Sequence, residues 1–256
     1  QNDFPTAWQY VRRTLAAQAD HPLGRFLQAK LLALKGDLVT AEREFYALRT
    51  ALPYWAAAQY EYALLAFALG KRELAQESMR AVTNLDPGHT EAHRFMADML
   101  LREGLYTAAY TDAEAAYQAN RYEPHTLRVY VEACVRTNQK DKAGAALDDA
   151  ALIKANDSQV LLSVAEGYQL MDNRAASHQA ARRAAALPAR NVFEQVSVAR
   201  ALALLGESAH AEKYLRDALK ALGDQASSTR PAQSQPSQDP LPRRGDKSLL
   251  LSELAR

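Results

Sequence analysis

The sequence predicts an all-α solenoid, a stack of helical hairpins rather than a globular domain. Gly36, Gly70, Gly104 and Gly206 stand on one 34-residue grid, with Asn138 and Asp172 at the two intervening points. Ala41, Ala75, Ala109, Ala143, Ser177 and Ala211 form a second grid five residues further on, and Ala29, Ala63, Ala97, Val131, Ala165 and Ala199 form a third. Six units between Pro22 and Gln225 therefore keep one register without an insertion. A fixed period of this length marks an array in which each unit buries its core against its neighbours and the whole presents a surface.

Taken in order, residues 1–21 read as a half repeat or capping helix. Asn2, Ala7 and Val11 lie one step before Gly36, Ala41 and Phe45, so the chain opens on the second helix of an incomplete unit. Residues 22–225 hold the six full units. In each, a stretch rich in Leu, Ala, Met and Tyr favours helix, and Gly, Asn or Asp can adopt the left-handed conformation that ends it. A second helical stretch follows, stopped in the first two units by Pro53 and Pro87. The small residues of the second and third grids let paired helices approach closely. Leu32, Leu100, Tyr168 and Leu202 on first helices, and Phe45, Met79, Leu147 and Leu215 on second helices, fill the space between units. Residues 226–245 are dense in Gln, Ser and Pro and read as a disordered linker. Residues 246–256 recover helical character, with Leu249, Leu250, Leu251 and Leu254 on a short amphipathic helix. A coil of about twenty residues reaches roughly 25 Å, enough for that helix to dock on the array itself.

The pattern resembles the tetratricopeptide-repeat family, whose 34-residue unit carries small residues at positions 8 and 20, a turn former at 15 and often Pro at 32. In the second unit these are Ala63, Ala75, Gly70 and Pro87. Arg25, Gln59 and His93 depart from the pattern, replacing the aromatic expected near the start of each unit, and Val131 and Ser177 weaken their grids. The resemblance implies a right-handed superhelix of which six units make most of one turn. It also implies a concave groove lined by first helices at positions 5, 9 and 13.

Those groove positions are Phe26, Lys30, Leu34; Tyr60, Leu64, Ala68; Arg94, Asp98, Arg102; Arg128, Glu132, Arg136; Leu162, Glu166, Leu170; and Val196, Arg200, Leu204. The two middle triplets read cation, acid, cation at spacings of four, on one helical face. Arg94, Arg102, Arg128 and Arg136 are the expected contacts for carboxylates of a partner acidic at its centre, through two-toothed hydrogen bonding. Phe26, Tyr60, Leu64 and Phe67 are the expected apolar anchors. The competing expectation is that Asp98 and Glu132 hold the arginines as ordinary surface ion pairs. A chaperone-tail clamp is disfavoured, because position 9 of the first two units is Lys30 and Leu64 with no Asn in the clamp pattern.

Composition excludes several classes. Lys and Arg total 31 against 30 Asp and Glu, a net charge of +1 that gives no bulk attraction to nucleic acid or membrane. A base-reading helical repeat is disfavoured further by the lack of a recurring polar pair. No apolar run is long enough to span a bilayer. There is no P-loop, dinucleotide turn, zinc-protease helix or paired-Cys motif, so no enzyme is expected and no cofactor or metal. His89 and His93 flank Glu91, but one falls in a turn and the other at a helix start, so they are expected to pack rather than ligate. The lone Cys134 reads as a small core residue.

The expected work is therefore that of a non-catalytic scaffold binding a peptide or protein in its groove. The other reading is the partner-recognition segment of a larger enzyme or of an envelope or secretion machine. A start at Gln1 without Met, together with the single Cys, points towards a bacterial exported setting such as the periplasm over the cytoplasm.

Overall fold

The computed structural model describes residues 4–228, and they form thirteen α-helices with no strand among them. A lone helix, α1 (Phe4–Ala17), precedes six hairpins: α2 (Pro22–Lys35) with α3 (Leu38–Ala51), α4 (Ala56–Ala68) with α5 (Arg72–Leu85), α6 (Thr90–Arg102) with α7 (Tyr106–Ala119), α8 (Pro124–Arg136) with α9 (Lys140–Ile153), α10 (Ser158–Leu170) with α11 (Arg174–Ala185), and α12 (Val192–Leu204) with α13 (Ser208–Ser228). The half repeat and the six units stand where the 34-residue grid puts them. Two compact bodies result among the described residues, one holding α1–α7 and the other α8–α13. The helix α13 runs to Ser228; the rest of the expected linker and the terminal leucine helix lie outside the described residues.

Each hairpin turns by the same device. Gly36, Gly70, Gly104 and Gly206 have φ between 77° and 93°, and Asn138 and Asp172 adopt φ 60° and 59° at the two points without Gly. Asn and Asp are the side chains that tolerate this region best. The residue after each donates its backbone N–H five residues back, from Asp37 to Leu32 at 3.0 Å, Gln139 to Cys134 at 2.7 Å and Glu207 to Leu202 at 3.0 Å, with the same bond in the other three repeats. This is a Schellman closure, which satisfies carbonyls that the helix end leaves open. Side chains cap the starts: Asp37 and Asn173 accept from the backbone at the head of their second helices, and His21, Glu123, Asp157 and Asn191 do so for first helices.

The two small-residue grids are the inner seam. Ala29, Ala41, Ala63, Ala75, Ala97 and Ala109 are wholly buried in the first body, as are Val131, Ala143 and Ala165 in the second, while Ser177, Ala199 and Ala211 are nearly so. Phe45, Met79, Leu147 and Leu215 are buried between repeats as expected. Cys134 is also wholly buried, a core residue.

Two of the three departures from the aromatic position have one structural answer. Arg25 donates to Glu44 of the same repeat at 2.8 Å, and His93 meets Asp112 at 2.7 Å, in both cases nineteen residues along. The same step from Gln59 leads to Ser78, both buried but not bonded to each other: Gln59 Nε2 donates to the Pro53 carbonyl oxygen at 3.2 Å, and Gln59 Oε1 and Ser78 Oγ have no hydrogen-bond partner. Leu127 and Leu161 in the later repeats face the same step with Ala146 and Ala180, and these four are also buried. A polar side chain on the first helix is thus matched by a polar one on the second, and an apolar one by a small apolar one.

The His93 link is sensitive to pH. Its Nδ1 lies 2.7 Å from Asp112 Oδ1 and its Nε2 lies 3.1 Å from the Pro87 carbonyl oxygen. Both partners are acceptors, so only the doubly protonated ring donates to both. The hydrogen bond to Asp112 raises the His93 pKa above its ordinary value, against the opposing effect of burial, with Pro87 and Asp86 adding to the rise. A group whose folded pKa is raised contributes stability that is complete below its unfolded value of about 6.5 and is lost as pH rises through the folded value. Urea midpoints measured from about pH 5.5 to 8.5 are expected to fall across that window relative to the variant His93→Leu/Asp112→Ala, which installs the apolar pair of the later repeats. Equal slopes for both proteins would show that the link carries no proton-dependent stability.

Candidate functional site

In the second body the first helices α8, α10 and α12 stand side by side and leave a groove of about 710 Å³ between them. Pro124, His125, Arg128 and Glu132 come from α8; Gln159, Leu162, Ser163, Glu166, Gln169 and Leu170 from α10; Phe193, Val196, Ser197 and Arg200 from α12. These are the faces left over once each first helix has turned its small and large apolar residues to its own second helix and to its neighbours. The floor is apolar, with Leu162 and Val196 buried, while Phe193 stands at the rim largely exposed.

Charge in this groove is arranged in pairs of unequal tightness. Arg200 donates to Glu166 from the equivalent position of the next first helix. Glu132 lies between Arg128 at 4.0 Å and Arg136 at 3.9 Å, so one carboxylate serves two guanidinium groups at the outer limit of an ion pair. Arg128 also places Nη2 2.7 Å from His125 Nε2. A guanidinium only donates, so the His125 ring accepts there in its neutral form. Ser163 and Ser197 turn their hydroxyls back to the carbonyls of Gln159 and Phe193 in their own helices.

In the first body the corresponding residues lie on α2, α4 and α6. Arg102 pairs with Asp98 at 2.9 Å and is mostly exposed. Arg94 lies near Tyr60, whose pKa is raised, chiefly by burial, with Arg94 opposing the rise. The Tyr60 ring sits 4.8 Å from the His89 ring, and Phe67 meets Phe95 edge-on at 5.0 Å. Leu64 and Phe67 are half-buried. Phe26 is placed differently from the expectation of an anchor: it is buried, 5.4 Å from Phe45 and 4.9 Å from Trp55, because its ring points at the hairpin interior. It supports this face from beneath, and Lys30, whose Nζ stands 5.7 Å from the Phe26 ring, extends across to Glu61 at 2.5 Å.

Of the eight expected contacts, Arg94, Arg102, Tyr60, Leu64 and Phe67 are on the first body, with Phe26 beneath them, and Arg128 and Arg136 are on the second. Both acids of the middle triplets do engage arginine, Asp98 closely and Glu132 by sharing. Sequence reasoning passed over His125, Gln159 and Phe193, at position 2 of their repeats, and Ser163 and Ser197, at position 6, because it followed positions 5, 9 and 13, with Phe67 beside them. The polar-to-aromatic change along position 2 was the available signal.

The two histidines weighed as metal ligands have other work. His89 caps α6 by accepting the Ala92 N–H at 3.2 Å, as His21 caps α2 by accepting from Gly24 at 3.2 Å, and His93 is the link described above. Among the described residues no group of three or more His, Cys, Asp or Glu could hold a metal ion, and no helix is long and apolar enough to cross a membrane.

No family model and no curated relative matches the chain. Solved structures do. A tetratricopeptide repeat protein from Parabacteroides merdae aligns over 98% of this chain and 93% of its own, at 14% identity and a TM-score of 0.63. The fold is that of a tetratricopeptide-repeat array. YrrB, described as a tetratricopeptide-repeat protein with an unusual peptide-binding site, aligns over 68% of this chain and 90% of its own at 11% identity and a TM-score of 0.56. Pseudomonas aeruginosa pilF aligns over 84% of this chain and all of its own at 13% identity and a TM-score of 0.54. At these identities the tetratricopeptide-repeat likeness concerns the fold, and the chemistry of the groove is this chain's own.

Proposed function

We propose that the array is a non-catalytic scaffold that holds a peptide or protein partner on the exposed faces of its first helices, and that the groove of α8, α10 and α12 is one such site. The observation that carries this reading is the mixture in that groove, where Arg128, Glu132, Glu166 and Arg200 line the walls above an apolar floor and beside the exposed Phe193, with Arg136 one turn along α8 at 3.9 Å from Glu132. A partner carboxylate entering there gains charge-assisted, planar hydrogen bonds, and an apolar residue two or three places away reaches the Leu162 and Val196 floor. The peptide-binding site in the description of YrrB supports the same reading. On the first body, taken by itself, Arg94 and Arg102 with Tyr60, Leu64 and Phe67 offer a comparable mixture of charge and apolar surface.

A randomised peptide array probed with the whole chain tests this. Bound peptides are expected to be enriched in Asp or Glu next to an aliphatic or aromatic residue, and Arg128→Glu/Arg136→Glu is expected to weaken them at least about tenfold, or 1.4 kcal/mol, with an unchanged helical signal. Peptides that show no acidic enrichment, or that bind the variant equally well, would mean that the arginines are ordinary surface ion pairs.

A further inference from the structure

The groove of α8, α10 and α12 changes character from one wall to the other. Along position 2 its side chains run His125, Gln159, Phe193; along position 5, Arg128, Leu162, Val196; along position 13, Arg136, Leu170, Leu204. All three rows begin polar or cationic on α8 and end apolar on α12. Leu162 and Val196 are buried, whereas Leu170 is 44% and Phe193 58% exposed, so the apolar side offers both a covered floor and open contact surface. Position 9 is the exception, with Glu132, Glu166 and Arg200, and its charges are engaged by neighbours. Arg200 donates to Glu166, and Glu132 lies 4.0 Å from Arg128 and 3.9 Å from Arg136. At these positions the α8 wall sets two guanidinium groups against one acid, while Glu166 of α10 and Arg200 of α12 cancel.

Two further observations bear on what crosses such a groove. Gln159 and Gln169 line it, and a side-chain amide carries donor and acceptor together. That is the pair an extended backbone presents and a helix has already satisfied within itself. Ser163 and Ser197, by contrast, return their hydroxyls to their own helices. The three first helices stand side by side, and packed helices lie about 8–10 Å apart, which separates the α8 and α12 walls by roughly 16–20 Å. An extended chain rises about 3.3 Å per residue with alternate side chains on one face, so it covers that span in about six residues.

We propose that the groove selects an extended peptide with a carboxylate side chain at the α8 wall, an aliphatic one over Leu162 and an aromatic one against Phe193, carboxylate and aromatic standing about six residues apart. The proposal rests on the peptide-binding reading of this groove and adds to it the order and spacing of the ligand's side chains. Arg128 and Arg136 select the carboxylate, because guanidinium groups take carboxylates in planar, charge-assisted geometry. A carboxylate at the other wall would meet Arg200, which Glu166 already engages. Phe193 selects the aromatic ring, since paired rings gain more than their buried area alone provides.

The test is binding of the whole chain to fluorescent peptides of about nine residues, blocked at both ends, with glutamate second, leucine fourth and phenylalanine eighth in a serine and glycine background. A peptide of the same composition with phenylalanine third, beside the glutamate, is the control. The spaced peptide is expected to bind at least about tenfold more tightly than the control. Phe193→Ala and Arg128→Gln are each expected to remove that advantage; Phe193 is exposed and Arg128 half-buried, so both variants are expected to keep the native helical signal. A photo-crosslinker beside the glutamate is expected to mark α8, and one beside the phenylalanine α12, whichever way the backbone runs. Equal affinity of the two peptides, both weakened by Arg128→Glu/Arg136→Glu, would overturn the spacing and leave peptide binding in the groove standing. Crosslinks from both ends to the same helix would do the same. Absence of binding by the spaced peptide would overturn the proposal outright, and the randomised array then decides whether the peptide-binding reading falls with it.

Discussion

Replacing Phe45 by alanine is expected to lower stability by about 3–5 kcal/mol, the range for deleting a large buried aromatic side chain. Phe45 is wholly buried, makes an edge contact with Phe26 at 5.4 Å, and shares a cluster with Leu48, Ala58, Tyr62 and Leu65 that joins the first repeat to the second. The small residues around it, Ala29 and Ala41 among them, leave the neighbours few ways to collapse into the space. Because stability in a repeat array is close to a sum of repeat and neighbour-interface contributions, the loss should be local. The urea curve of Phe45→Ala is expected to develop an early phase that accounts for α1–α3, followed by a main transition near the native midpoint. A single transition shifted as a whole would show that the repeats are coupled too strongly for this additive picture.

The grids made the fold readable because each grid position answers one steric demand. A left-handed residue is needed at each hairpin turn, and Gly, Asn and Asp are the residues that supply it; hence the six turns, including Asn138 and Asp172, stand where the period puts them. Closely packed helices require small residues, so the alanine grids mark the seam. The polar residues at Arg25 and His93 were legible as departures but not as solutions, because their partners Glu44 and Asp112 lie nineteen residues away on the second helix and are unremarkable as sequence. Phe26 shows the same limit from the other side. Helical spacing puts it on the stripe of Lys30 and Leu34, yet its ring packs against Phe45 and Trp55. The pairing in the second body's groove was half legible: the cation-acid-cation triplet of α8 is evident, whereas the bond of Arg200 to Glu166 joins residues thirty-four positions apart on separate helices. It follows from the repeat period only once two groove positions of neighbouring repeats are known to touch.

Gly167→Leu is expected to cost about 1–3 kcal/mol and to disturb the groove as well. The equivalent residues of the other first helices are Leu31, Leu65, Met99, Ala133 and Ala201, so the glycine is not required by backbone conformation. It is required by what lies opposite. A Cβ at this point would stand 2.6 Å from Leu147 Cδ2 and 3.2 Å from Val131 Cγ1, both of them wholly buried residues of the preceding repeat. Alanine regains helix propensity of about 1 kcal/mol relative to glycine, and Leu147 can move the end of its side chain, so Gly167→Ala is expected to be close to neutral. Leucine cannot be accommodated that way and must push α10 away from α8 and α9. That displacement carries Leu162 and Glu166, on the same helix, away from Arg128 and Glu132. Gly167→Leu is therefore expected to weaken binding in that groove even where the protein remains folded, which separates it from a purely structural lesion. The compensating variant Gly167→Leu/Leu147→Ala tests the assignment, because it exchanges the large and small partners across the same contact. A coupling of about 0.5–3 kcal/mol towards recovery is expected from denaturation of the four proteins of the cycle. Strict additivity would mean that the strain of the leucine is taken up somewhere other than Leu147.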